Sequence, residues 1–171
     1  KMFMRDYNIP TRKDIDKFLS WDTFVAHTEE NRMVIEESYK NICRVRKNPK
    51  NSVTELKELF PNKKICMIFQ PHRFSRTAQL FDDFVKVLKT LDSLILLDIY
   101  AASEMPIKGI DSRTLVESIK QLGHKDTMHI KKHSDVLKMI DTKKNSFDIL
   151  ITQGAGTISA VTELIKNKWK N

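Results

Sequence analysis

From residue 51 onward, short apolar runs alternate with amphipathic segments, and no other feature of the sequence constrains the fold as strongly. The runs "KICMIF", "SLILLDIY", "TMHI" and "FDILIT" are too short for helices, and their apolar residues are consecutive rather than alternating. That is the pattern of strands buried on both faces of a parallel sheet. Between and around them, "SVTELKELF", "RTAQLFDDFVKVLKTL", "DSRTLVESIKQLG", "SDVLKMID" and "TISAVTELIKNK" carry apolar residues at helical spacing. Asp111 or Ser112 is placed to cap the third of these helices and Gly123 to stop it, and Ser134 to cap the fourth. The expected fold is α/β: a three-layer, Rossmann-like, mainly parallel sheet with helices on both faces.

Residues 1–50 read differently. "NIPTRKDIDKFL" has a helix start at Pro10 and Thr11, with Asp14 in a capping-box-like position. "TFVAHTEENRMVIEESY" holds two strand-like runs around the polar turn "TEEN", which predicts a short β-hairpin. The stretch Lys40–Lys50, "KNICRVRKNPK", is a basic linker without an acid. The chain thus divides into an N-terminal helix, hairpin and basic linker over 1–50 and an α/β domain over 51–171.

Composition excludes several classes. The 171 residues suffice for one domain with a real core. The two cysteines, Cys43 and Cys66, have no C-x-x-C spacing, so neither a disulfide framework nor a zinc ribbon is indicated. No apolar run approaches the roughly 20 residues of a membrane span, and no signal-peptide pattern opens the chain. A soluble chain in a reducing compartment is expected. Thirty basic residues against 22 acidic ones give a net charge of +8, which favours anionic neighbours.

In open parallel sheets, ligands sit beyond the carboxyl ends of the strands. Three polar stretches fall there: "QPHRFSR", "DIYAASE" and "TQGAG". Arg73 and Arg76, three apart at a strand end and helix start, share a face if the first turn begins near Phe74. Their planar guanidiniums match a carboxylate or a phosphate. On spacing alone, pairing with acids such as Asp82 or Asp98 accounts for them equally well. Asp98 and Glu104 flank "IYAAS", where a carboxylate suits a ribose hydroxyl or a metal, or is a solvated loop acid. Gly154 and Gly156 form a tight turn that permits close backbone approach. The third glycine of a dinucleotide fingerprint is replaced by Ser159, and no Walker-type phosphate loop occurs. His124, His129 and His133 do not share a helical face, and no acid or cysteine completes a metal set with them. No catalytic triad follows from the spacings, so no catalytic residue and no metal ligand is assigned.

The stretches "IFQPHRFSRTAQLFDDFVKVL", "LLDIYAASEMPIKGIDSRTL" and "LITQGAGTI", in that order over about residues 60–168, resemble the C-terminal domain of the UDP-N-acetylmuramate:L-alanine ligases of the Mur ligase family. The resemblance implies an α/β domain that closes over an ATP-binding central domain and helps to bind the incoming amino acid during peptidoglycan synthesis. By matching position it implies that His72, Arg73 and Arg76 face the amino-acid carboxylate. It likewise implies that Asp98, Tyr100, Glu104, Gln153, Gly154 and Gly156 form the cleft edge. The chain departs from the family at the Asp-Asp-Tyr-Gly-His-His-Pro-Thr-Glu motif. The nearest match, "VIEESYKNICRV", supplies Glu36, Glu37 and Tyr39 but neither histidine nor the proline, and a looser placement keeps only Thr54 and Glu55.

The UDP-binding and ATP-binding domains lie outside these 171 residues, so the chain alone is expected not to ligate. ATP and Mg2+ are implied by the family only, and the isolated chain is assigned no cofactor. The expected partners are the missing ligase domains, in a cytoplasmic setting. The alternative is a repurposed, non-catalytic subunit of a large assembly such as an organellar ribosome, in an organelle matrix. RNA or another anion would then be contacted through Lys40–Lys50 and the basic tail "KNKWKN".

Overall fold

The computed structural model describes residues 24–27, Val53, Lys57 and 61–170. The expected N-terminal helix, the second arm of the hairpin, the basic linker and Cys43 lie outside the described residues. Five strands form one sheet: β1 (Phe24–His27), β2 (Ile65–Gln70), β3 (Ser93–Leu97), β4 (Thr127–Ile130) and β5 (Ile149–Gly154). Their spatial order is β1-β5-β2-β3-β4. Strands β5, β2, β3 and β4 are parallel, and β1 pairs antiparallel with β5, Phe24 opposite Thr152. The first run of the expected hairpin is therefore an edge strand of the main sheet.

The unbroken apolar runs are buried on both faces, as a parallel sheet between helices requires. On one face Met67, Phe69, Leu94, Leu96 and Ile151 pack against Phe84 and Leu88 of α2 (Phe81–Leu88) and Leu115 and Ile119 of α3 (Ser112–Gln121). On the other, Cys66, Ile68, Ile95 and Leu150 meet Val136 and Ile140 of α4 (His133–Lys143) and Ile158, Val161 and Ile165 of α5 (Ile158–Lys170). Fully burying one such aliphatic side chain is worth about 1.5–3 kcal/mol, so these two layers are the main source of stability.

Three local expectations are corrected. The segment read as one helix from Arg76 to Leu91 is two: α1 (Phe74–Gln79) and α2, broken at Leu80, which leaves helical geometry at φ −108° and ψ 15°. The break lets Phe84 turn onto Phe69, their rings 5.3 Å apart in edge contact. Ser134 is not a cap; α4 begins one residue earlier, with Lys132 at the capping position and no side-chain cap bond. Of the two candidate caps for α3, Asp111 is the one: its carboxylate accepts from the Thr114 amide at 2.8 Å, and Ser112 instead donates to the Leu97 carbonyl at 2.6 Å. At the other end Gly123, at φ 91°, closes α3, with its amide on the Lys120 carbonyl and the His124 amide on that of Ile119. This pair of bonds is a Schellman stop.

Candidate functional site

The order of the parallel strands locates the site. From β2 the chain steps to β3 and β4 with α2 and α3 on one face. It then returns by α4 to place β5 on the other side of β2, with α4 and α5 on the opposite face. The connections leaving β2 and β5 therefore run to opposite faces, and their carboxyl ends form the topological switch point, where open α/β sheets have their ligand crevice. Gln70 and Gly154 are paired at that point. A Cβ on Gly154 would sit 2.5 Å from the Gln70 carbonyl oxygen, so only glycine lets the two strand ends approach. Gln153, buried on β5, lies opposite Phe69.

The three polar stretches meet here. The His72 and Tyr100 backbones form an isolated parallel bridge beyond the strand ends. The Arg73 amide donates to the Tyr100 carbonyl at 2.8 Å, and the Tyr100 amide donates to the Pro71 carbonyl at 2.9 Å. The two rings stack, with centroids 5.6 Å apart and planes 12° from parallel. The Tyr100 ring lies against Gly156, where any Cβ would collide with it, and Gly156 has φ 100°. Gln70 ties in the third stretch, its Nε2 donating to the Thr157 hydroxyl at 2.9 Å and reaching the Asp98 carbonyl at 3.4 Å.

Arg73 occupies an unusual conformation, φ 67° and ψ 139°, a region normally left to glycine. Ala102, at φ 48°, and Ser103, at φ 69°, are the other non-glycine residues with positive φ among the described residues. All three belong to this edge. Each such residue costs on the order of 1–3 kcal/mol, and such strain gathers at functional sites. The Arg73 carbonyl is held by the Thr77 amide at 3.0 Å and the Thr77 hydroxyl at 2.8 Å. The side chain of Arg73 is left exposed at the crevice, while Arg76 is half-buried within α1. Helix α1 does begin at Phe74, the condition the spacing argument set.

Neither loop acid is simply solvated. Glu104 accepts from the Ser75 amide at 2.9 Å and from its hydroxyl at 2.6 Å. The Ser75 hydroxyl first, then its amide, hold the Glu104 carboxyl below the usual range, with the charge of Arg73 assisting. Asp98 pairs with His129 Nε2 at 2.6 Å, a partner the sequence did not suggest. His133 approaches the Thr157 hydroxyl at 3.5 Å, while His124 lies at the opposite, amino edge of the sheet. The three histidines therefore serve three different places. Among the described residues no group of three His, Cys, Asp or Glu is placed to hold a metal, and no helix is long and apolar enough to cross a membrane.

Sequence reasoning assigned no role to Gln70, Ser75 or Thr157, and weighed His129 only as a metal ligand. The available signal was position: Gln70 ends a buried strand, and a polar residue there must find a partner across the crevice.

No family model matches the chain. Among solved structures, the chain is similar to UDP-N-acetylmuramate-alanine ligase MurC from Thermotoga maritima, with a TM-score of 0.53 and 25% sequence identity. The match covers 74% of this chain and 26% of that one. What the likeness and the strand topology together support is a Mur ligase-like, Rossmann-like α/β domain.

Proposed function

We propose that the chain acts as the C-terminal, amino-acid-binding part of a Mur-type ligase and that its crevice receives the α-carboxylate of an amino acid. The observation that carries this reading is Arg73, a strained residue with its guanidinium exposed at the topological switch point of the sheet. A planar, permanently charged fork held on a rigid turn suits bidentate capture of a carboxylate. His72, braced by its stack on Tyr100, borders the same turn, and Arg76 supplies a second positive charge one helical turn on. Asp98, Tyr100, Gln153 and the Gly154–Gly156 turn form the wall. The chain's part is positioning: it binds and orients one reactant. Activation of the acyl group, with ATP and Mg2+, belongs to other domains, and the chain alone forms no amide bond.

The test is calorimetric titration of the full chain with L-alanine and with L-alaninamide, which lacks the carboxylate. L-alanine should bind and the amide should not. Arg73→Ala should weaken L-alanine binding by about 30- to 150-fold, the worth of a charge-assisted bidentate pair at 2–3 kcal/mol, with the circular dichroism spectrum unchanged. Survival of binding in the Arg73→Ala, Arg76→Ala double variant would show that the carboxylate is held elsewhere.

The net charge of +8, with exposed Lys131 and Lys132 near this edge, favours a second reading as a non-catalytic subunit on an RNA-rich assembly. Sedimentation of the endogenous protein with a large particle, shifted by ribonuclease, would favour it over the ligase reading.

A further inference from the structure

Loop 98–110 is tied at two points to the stretch that leaves β2 and enters α1. One is backbone pairing of Tyr100 with Pro71 and Arg73, and the other is Glu104, whose two carboxylate oxygens take the amide and the hydroxyl of Ser75. Ser75 lies two residues beyond Arg73, so Glu104 grips the far side of the strained turn. Glu104 is itself set by a turn, its amide donating to the Ala101 carbonyl at 3.0 Å across Ala102 and Ser103, both in positive φ. Strained backbone persists only where the surrounding contacts over-determine it, and this doubly hydrogen-bonded contact has strained backbone on both of its sides. No ion pair joins Glu104 to the Arg73 guanidinium, so the carboxylate acts on the turn and leaves the fork exposed.

We propose that Glu104 is the positioning residue of the arginine turn: by latching loop 98–110 onto Ser75 it holds Arg73 in the strained conformation that presents its guanidinium to an incoming carboxylate. This rests on the carboxylate-binding reading above. A binding group on a loosened turn loses affinity even when its own chemistry is intact. The latch acts chiefly through hydrogen bonds, with the Arg73 charge a smaller contribution, and that makes it separable. Glutamine keeps an oxygen for the Ser75 amide and an NH2 that donates to the Ser75 oxygen. Alanine keeps neither.

The experiment compares Glu104→Ala and Glu104→Gln in the full chain, titrated with L-alanine, while the Ser75 amide is followed by NMR as pH is lowered. Glu104→Ala should weaken L-alanine binding about tenfold through misplacement of Arg73, and Glu104→Gln should stay within about threefold of the parent. If Glu104→Ala binds within twofold of the parent, or Glu104→Gln loses as much as Glu104→Ala, the latch is wrong and the carboxylate reading stands. If the parent itself fails to bind L-alanine, or binds L-alaninamide equally, the carboxylate reading falls, and the latch is judged by the amide alone. A latched Ser75 amide shifts with an acid-range titration that disappears in Glu104→Gln; a Ser75 amide with no such titration overturns the latch. The pH sign is fixed by the depressed Glu104 carboxyl. Its contribution is complete above the ordinary glutamate pKa and is lost as pH falls through the lower folded value.

Discussion

The two edges of the sheet use the same kinds of residue to opposite ends. At the amino edge, acids close off backbone donors. Asp92 accepts from the Ile65 amide at 2.9 Å and Asp148 from the Lys64 amide at 2.7 Å, with Lys57 and Lys63 beside them. Lys143 pairs with Asp126. Buried His124 meets the Leu91 carbonyl through Nε2 at 2.8 Å and the Thr127 hydroxyl through Nδ1. A carbonyl can only accept, so Nε2 carries a proton, and in the neutral imidazole Nδ1 then accepts from the Thr127 hydroxyl. Every group in this set is used to finish the fold, and no described non-glycine residue here has positive φ. At the carboxyl edge the hydrogen bonds hold loops in strained shapes, and a cation is left exposed. A stretch of polar residues at a strand end therefore signals a site only where its bonds support strain and leave a charged group accessible.

The largest test of this contrast is chemical. Burial pushes the Cys66 thiol up to about 12 from 9.0, with Ser93 acting in the opposite direction. Three pH units lower the thiolate fraction by about 10³, so Cys66 should resist alkylation by that factor relative to an exposed thiol until the protein unfolds. Mass spectrometry of the peptide containing Cys66 checks it, and fast labelling in the native state would mean the amino-edge core is open.

Next in size is His124→Ala, which strands the Leu91 carbonyl and the Thr127 hydroxyl in a buried place. It should cost about 2 kcal/mol in urea unfolding and leave amino-acid affinity unchanged. A loss of affinity without a loss of stability would erase the distinction between the edges.

The smallest effect has the most informative sign. Arg73→Gly removes the guanidinium and also relieves the φ 67° strain, so it should weaken carboxylate binding as Arg73→Ala does while raising stability by about 1 kcal/mol over Arg73→Ala. Equal stability of the two variants would mean that the turn carries no strain worth relieving.

Much of the fold was legible because the signals are local. Buried parallel strands must be apolar at successive positions, and Asp111 stands one residue before α3 and Gly123 two residues after it, where an unpaired amide or carbonyl must be met. Ser134 was misread because Ser before an apolar run resembles a cap, yet the chain already turns helical at His133. The break at Leu80 had no signature in proline or glycine. It goes with the packing of Phe84 on Phe69, a contact between elements that no local pattern reports.

At the site, the sequence alone determined that polar groups crowd the strand ends and that two arginines stand three apart in one of them. Which groups meet was decided by tertiary structure. Glu104 finds Ser75 across 29 residues, Gln70 finds Thr157 across 87, and Asp98 turns to His129 across 31. Hydropathy period and capping report only on a residue's own turn or strand. The partner of a strand-end side chain depends on the strand order β5-β2-β3-β4 and on which face each connection takes, and both are set only when the whole core closes.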